Sequence, residues 1–198
     1  MAPSTLAELY VEELKDLYSA ENQILKALPK MIKATKHREL KNAFETHLRQ
    51  TETHVQRLEQ IFSELDERPR GKKCHGMEGV IEEGAELIKE KPEPAVLDAG
   101  LIAAAQHVEH YEMAGYGSVR TWAEKLGHEN HAQLLQQTLH EEKETDRLLT
   151  TLAEQSVNPD ADRESASERS TGLADMPARR APARSGTAAK RPSAESRR

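Results

Sequence analysis

The chain has 198 residues, of which 31% are charged and 4% aromatic, and its formal net charge is −6 at pH 7. A length of this order fits one domain with an appendage. The single cysteine, Cys74, excludes an intramolecular disulfide and favours a reducing compartment. No apolar run approaches the roughly 18 residues of a membrane span, and the N-terminus does not resemble a secretory signal. We therefore expect a cytoplasmic protein that does not associate with membranes.

The C-terminal segment 159–198 differs from the rest of the chain in composition and charge. It contains nine Lys or Arg and six Asp or Glu, which leaves a net charge of −9 on the preceding residues, and it has one Leu and no Ile, Val or Phe. So few apolar side chains cannot offset the entropy of ordering the segment. We therefore predict a folded domain over 1–158 and a disordered basic tail over 159–198. The tail either solubilises the protein or contacts nucleic acid through its charge.

Apolar residues at helical spacing predict two long helices in the first third of the chain. The first helix begins at a capping box on Thr5 and continues through Pro29 to a turn near His37. The second helix covers about 39–66. Because the turn between them is short, the two helices form an antiparallel hairpin.

A long crossover separates this hairpin from a second one. The connector 68–76 is rich in helix breakers and is followed by a short amphipathic helix over about 77–89. Pro94 then opens a third long helix, Gly127 ends it with a tight reversal, and a fourth long helix ends near Ser156. Two hairpins joined by a long crossover are the ferritin-like form of the four-helix bundle. We predict an all-α protein with this fold and a short fifth helix in the crossover.

Four glutamates fall on the apolar stripes of the long helices, near mid-height. Glu21 lies 16 residues before the first turn and His54 lies 17 after it, while Glu112 and Glu142 each lie 15 residues from the second turn. At about 1.5 Å per residue these heights are nearly equal, and Glu109 is on the same face as Glu112. A bare carboxylate in a dry core costs several kcal/mol unless it is paired or binds a metal. We therefore predict a metal site in the bundle core.

Two further residues extend this candidate site. Asp146 follows Glu142 by four residues, and Gln50 precedes His54 by four, so each pair projects to one side of its helix. In the predicted site Glu109 and Glu112 bridge two cations. Gln50 is either a weak ligand or a residue that orients another ligand. The predicted metal ligands are Glu21, Gln50, His54, Glu109, Glu112, Glu142 and Asp146.

The donor types indicate which metal such a site would take. Carboxylate oxygens with an imidazole suit iron or manganese better than tetrahedral zinc. Bridging carboxylates hold two cations a few Å apart, as two-metal chemistry requires. The alternative is a metal-free polar layer in which the acids share protons or form salt bridges.

Several strings of the sequence resemble a known family. They are DLYSAENQ at 16–23, KCHGMEG at 73–79, AAQHVEHYE at 104–112 and TLHEE at 138–142. With them, about residues 5–157 resemble the YciE/YciF-type stress proteins, a ferritin-like family that is distantly similar to rubrerythrin. The resemblance implies an all-α homodimer linked to stress responses.

The resemblance also bears on the ligands. Rubrerythrin-like sites are matched here by Glu21, by Glu109-x-x-Glu112 and by Glu142. Thr51 stands three residues before His54, where those sites have a glutamate, and Asp146 stands where they have a histidine. We therefore expect a stress-response protein with a dinuclear iron or manganese site that acts on peroxide or oxygen. The alternative is a metal-free structural dimer that associates with nucleic acid through its tail.

Overall fold

The computed structural model describes residues 2–69 and 72–163. Within these ranges the chain forms helices and no strand, which confirms the predicted all-α bundle. The predicted tail lies outside the described residues from position 164 onward. No helix in the described ranges combines the length and apolarity needed to cross a membrane. The helices are α1 (Leu6–Ala34), α2 (Arg38–Glu64), α3 (His75–Glu90), α4 (Pro94–Leu126) and α5 (Glu129–Leu152).

Local sequence signals fix most of the helix ends. The Thr5 side chain accepts a hydrogen bond from the backbone N–H of Glu8 at 3.1 Å and so caps α1. Helix α1 continues through Pro29, as predicted. Gly127 ends α4 with a φ of 79°, a left-handed conformation that costs glycine little. Thr5 therefore caps the start of α1, and Gly127 reverses the chain after α4, both at the predicted places.

The end of the last helix differs from the prediction. It was expected near Ser156, but a π turn at Ala153–Val157 follows α5 and helical backbone resumes over 158–163, through Pro159. Val157 is buried against the apolar core, and this contact favours continuing the helix. A π turn also shifts the hydrogen-bond register locally, so that a proline is accommodated just beyond it.

Apolar side chains form two separate clusters along the bundle. One contains Leu28 and Phe44 near the α1–α2 turn, and the other contains Tyr10 and Phe62 toward the opposite end. Helix α3 packs on α1 and α4 beside the first cluster. Five of the seven residues predicted as ligands are buried in the same four long helices, where any bound ion would be shielded from water.

Candidate metal centre

Six ionisable side chains from the four long helices meet in the core, and each is at most 3% exposed. They fall into two groups whose candidate ligand atoms lie within 4.8 Å of one another. Glu142 belongs to both groups, so it occupies the position of a bridging carboxylate. The first group is His47, Glu109, Glu112 and Glu142, and the second is Glu21, His54 and Glu142. We call these six residues the core cluster.

The two oxygens of Glu142 face different histidines. Oε1 lies 2.9 Å from His54 Nδ1, and Oε2 lies 3.9 Å from His47 Nδ1. On the outer sides, His54 Nδ1 lies 3.5 Å from Glu21 Oε1, and His47 Nε2 lies 3.2 Å from Glu109 Oε1. The arrangement therefore offers one nitrogen and at least two carboxylates to each of two positions, which share Glu142.

Eight polar atoms of the core cluster are buried without a hydrogen-bond partner. They include both oxygens of Glu112 and both of Glu142. Close approaches such as that of His54 to Glu142 do not meet hydrogen-bond geometry. Because each unpartnered buried polar group costs about 1–3 kcal/mol, this concentration calls for another partner. A cation between the side chains supplies one, since it accepts electron pairs from carboxylate oxygens and imidazole nitrogens together.

The same burial shifts the protonation of the carboxyl groups. Burial raises the pKa of Glu21, and burial together with the neighbouring carboxylates raises the pKa of Glu109 and Glu112 well above the usual range. Burial acts in the same direction on Glu142, but the closely approaching charged ring of His54 outweighs burial and lowers the pKa of Glu142. In the metal-free protein, protons therefore occupy part of the cluster, and metal ions must displace them.

His54 is held by an ion pair outside the core cluster. Its Nε2 donates a hydrogen bond to Glu141 Oε2 at 2.8 Å, which turns Nδ1 toward the cluster. Arg57 in turn holds Glu141 through two hydrogen bonds of 2.6 and 2.9 Å. Burial disfavours a charged imidazole, but the hydrogen bond to Glu141 and the adjacent carboxyl groups of Glu142 and Glu21 outweigh it and raise the pKa of His54 to about 12. Metal-binding histidines commonly carry such an orienting carboxylate on the other ring nitrogen.

Hydroxyl groups complete the surroundings. Tyr116 is fully buried and donates a short hydrogen bond to Glu21 Oε1. Thr145 Oγ1 lies 3.5 Å from His47 Nδ1, which leaves His47 Nε2 facing Glu109. Tyr116 thus fixes one carboxylate oxygen of Glu21, while Thr145 helps to orient the imidazole ring of His47.

The structure brings together five of the seven residues proposed from the sequence: Glu21, His54, Glu109, Glu112 and Glu142. Asp146 does not join them. Its side chain is 23% exposed, and its Oδ1 accepts a hydrogen bond from Gln106 at 3.0 Å and lies 3.3 Å from His110 Nε2. Thr145, the residue before Asp146, is buried instead. Gln50 lies on α2 and is only partly buried.

Sequence reasoning left out three residues that shape the core cluster. His47 precedes His54 by seven residues, or about two helical turns, and that spacing on the apolar stripe was the signal for it. Glu141 and Arg57 carried no such signal, because neither lies on an apolar stripe. Their ion pair forms across α2 and α5 and is visible only once the helices are packed.

The sequence of this chain is similar to a known protein family and to a protein of Escherichia coli. Residues 5–162 match the family described as "Domain of unknown function (DUF892)". The chain belongs to the DUF892 family. Its relatives include the protein YciF of Escherichia coli strain K12, which is 45% identical over 163 residues, 82% of this chain and 98% of YciF. The resemblance to YciF-type proteins is therefore confirmed.

Solved structures of similar proteins share the fold. The crystal structure of the E. coli stress protein YciF matches with a TM-score of 0.76, covering 79% of this chain and 99% of that one. YcfI from Rhodopseudomonas palustris matches with 40% identity and a TM-score of 0.73, covering 76% of this chain and 98% of that one. A Xanthomonas campestris protein is 20% identical, with a TM-score of 0.65 over 81% of this chain and 99% of that one, and shows the fold alone. These likenesses support the arrangement of helices from which the core cluster projects.

Proposed function

We propose that the core cluster binds two iron or manganese ions and that this DUF892 protein acts on peroxide or oxygen as part of a stress response. One observation carries the metal proposal: eight buried carboxylate and imidazole atoms meet without hydrogen-bond partners. The link to stress rests on the 45% identity to YciF, which is described as a stress protein.

The ligands divide between two ions. His47, Glu109 and Glu112 would hold one ion and Glu21 and His54 the other, with Glu142 common to both groups of candidate ligands. Asp146 and Gln50 are not needed for this set. Two such ions supply redox equivalents and Lewis acidity toward a peroxide or oxygen ligand.

The protein's own residues prepare the site for this chemistry. Glu141 fixes the ring of His54, and Tyr116 fixes a carboxylate oxygen of Glu21. The apolar clusters along the bundle exclude bulk water, which strengthens every electrostatic interaction within the core cluster. Preorganised ligands of this kind bind metal without first rearranging the helices.

Metal titration tests the proposal. Metal-free protein is titrated anaerobically with Fe(II) and, separately, with Mn(II), and metal content and thermal unfolding are measured. We expect two ions per chain and a rise in the unfolding midpoint of about 5–10 °C at saturating metal, because a ligand of the native state stabilises it. Glu142→Gln should lose uptake of both ions, whereas Asp146→Asn, the matched change on the same helix, should keep it.

The alternative is a metal-free polar layer with a structural role. Far less than one ion per chain, with no rise in the unfolding midpoint, would establish that alternative. Unchanged metal uptake in Glu142→Gln would instead show that the ions bind outside the core cluster.

A further inference from the structure

A cavity of about 60 Å³ lies among the helices α1, α2, α3 and α4, next to the core cluster. Its walls are almost entirely apolar, and five of the lining residues are very small: Ala27, Gly84, Ala85, Ala104 and Ala105. One water-sized group needs about 10–15 Å³, so this volume has room for roughly four to six such groups. We call this space the side cavity.

The inner end of the side cavity reaches the core cluster. His47 and Glu109 both line it, and both are at most 3% exposed. His47 Nε2 and Glu109 Oε2 have no hydrogen-bond partner. A molecule in the side cavity therefore contacts apolar side chains along its length and two candidate metal ligands at one end.

Loose packing of α3 leaves the side cavity open. This helix buries Met77 and Gly84 fully, while Val80, Ile81 and Ile88 are only partly buried along its inner face. A β-carbon on Gly84 would meet Ala104 Cβ at 3.2 Å, so the two helices already touch there. Protein interiors are otherwise packed to crystal density. A gap beside such a contact, ending at unpartnered polar atoms, is suited to a ligand.

On the basis of the proposed function, we propose that the side cavity binds the alkyl group of a small organic hydroperoxide, with its peroxide oxygens at the His47 and Glu109 end. Hydrogen peroxide has no apolar surface to bury, so apolar walls do not favour it. The four carboxylates of the core cluster balance the charge of two divalent ions, so the loaded site has no net positive charge to attract an anionic ligand. A neutral alkyl hydroperoxide satisfies both conditions, and its four-carbon forms match the available volume.

Binding is tested first in the metal-free protein, so that the result does not depend on metal uptake. The probe is tert-butyl alcohol, a redox-inert molecule with the shape of tert-butyl hydroperoxide. We expect it to shift the methyl NMR signals of Val80, Ile81 and Ile88 in a saturable manner. Ala104→Leu, which fills the side cavity, should weaken this binding at least tenfold. Ala103→Leu, the same change at the exposed neighbour, should leave it within twofold.

The second arm uses the metal-loaded protein. The measured step is oxidation of the Fe(II)-loaded protein, in which two Fe(II) ions would supply two electrons and, with two protons, the peroxide would yield an alcohol and water (water alone from hydrogen peroxide). The ratio of the rate with tert-butyl hydroperoxide to that with hydrogen peroxide should fall at least tenfold in Ala104→Leu and stay unchanged in Ala103→Leu, at equal metal content. Ala27→Leu fills the side cavity from α1 and provides a second test if Ala104→Leu does not fold.

Each contrary result overturns the assignment. NMR shifts in the wild type that do not saturate with tert-butyl alcohol would show that the alcohol does not use the side cavity. Equal binding by Ala104→Leu and Ala103→Leu would show the same. Shifts caused by xenon gas but not by tert-butyl alcohol would identify a cavity for small gases instead. If the alcohol binds but the protein takes up no metal, the alkyl site is supported while the hydroperoxide assignment fails together with the proposed function.

Discussion

Two buried carboxylates, one at the α1–α2 turn and one at mid-height of the bundle, have opposite surroundings. Asp98 is 3% exposed, and its oxygens accept hydrogen bonds from the Thr35 hydroxyl and from the backbone N–H groups of Lys36 and His37. Glu112 is fully buried, and neither of its oxygens has a hydrogen-bond partner. The chain thus satisfies one buried acid completely and leaves the other without donors.

This difference separates a structural acid from a candidate ligand. At the turn, Asp98 satisfies backbone N–H groups that the start of α2 would otherwise leave unpaired. In the core cluster the carboxylates face one another and two imidazoles, so they offer lone pairs without receiving enough donors. Burial alone is therefore a poor guide to function, whereas burial without hydrogen-bond donors marks a carboxylate as a candidate metal ligand.

Replacing Glu112 with leucine should give the largest effect. We expect Glu112→Leu to remove the stabilisation by metal, which amounts to about 4 kcal/mol at a metal concentration a thousand times the Kd. Without metal the variant should be as stable as the wild type or more so, because an apolar side chain replaces a buried acid. Urea unfolding with and without Mn(II) measures both effects. A variant that keeps the full metal-dependent shift would exclude Glu112 as a ligand.

Replacing Asp98 with alanine should have the opposite pattern. Asp98→Ala removes the acceptor for the Thr35 hydroxyl and two backbone donors, so we expect a loss of about 3 kcal/mol in the free energy of unfolding. Metal uptake should not change. Urea unfolding and metal analysis of the purified variant check the two parts. Reduced uptake in a folded Asp98→Ala would show that the two regions are coupled.

Weakening the contacts of Glu141 with His54 and Arg57 should have a smaller effect on metal binding than replacing Glu112. Glu141→Gln keeps the size of the side chain but weakens its hold on His54 and Arg57. We expect metal affinity to fall 10- to 100-fold, as is common for such supporting partners. Competition with a coloured chelator measures the affinity. Glu144→Gln, an exposed acid on the same helix, is the control and should bind like the wild type.

The sequence predicted the helices and most of the core cluster for a physical reason. Helical periodicity and breakers determine where each helix begins and turns, and distance from a turn determines height, so Glu21, Glu112 and Glu142 could be placed at one level. The same reasoning cannot choose between residues near the edge of a helix face. Asp146 and Gln50 sit at such edges, and the packed helices turn them outward.

Features that depend on packing between helices were out of reach. The contact of Glu141 with Arg57 joins α2 and α5 and follows no stripe of either helix. The helical backbone beyond Pro159 depends on the burial of Val157, which outweighs the usual breaking effect of a proline. In both cases tertiary contacts decide what local pattern leaves open.

The smallest expected effect is on the pH dependence of stability, which also distinguishes Glu112 from Asp98. The pKa values of Glu109 and Glu112 are raised in the folded protein by burial and by neighbouring carboxylates. Protons bound to these groups therefore stabilise the metal-free fold fully below the ordinary value of 4.5, and this stability is lost as pH rises toward the folded pKa values. Burial alone would raise the pKa of Glu141, but Arg57 and His54 lower it to about 2, so well above pH 4.5 Glu141 is ionised in the folded and the unfolded chain and contributes no slope there.

As the pH rises above 4.5, we expect the free energy of unfolding of metal-free wild type to fall relative to Glu112→Leu, by at most about 1.4 kcal/mol per pH unit for one proton. Taking the difference between the two proteins removes most of the contribution that their shared histidines make to the pH dependence of the free energy of unfolding. Adding Mn(II) should reverse the sign for the wild type, because the metal binds the ionised carboxylates and competes with protons. Parallel pH profiles for the two metal-free proteins would mean that Glu112, like Asp98, already has a partner that makes its burial tolerable.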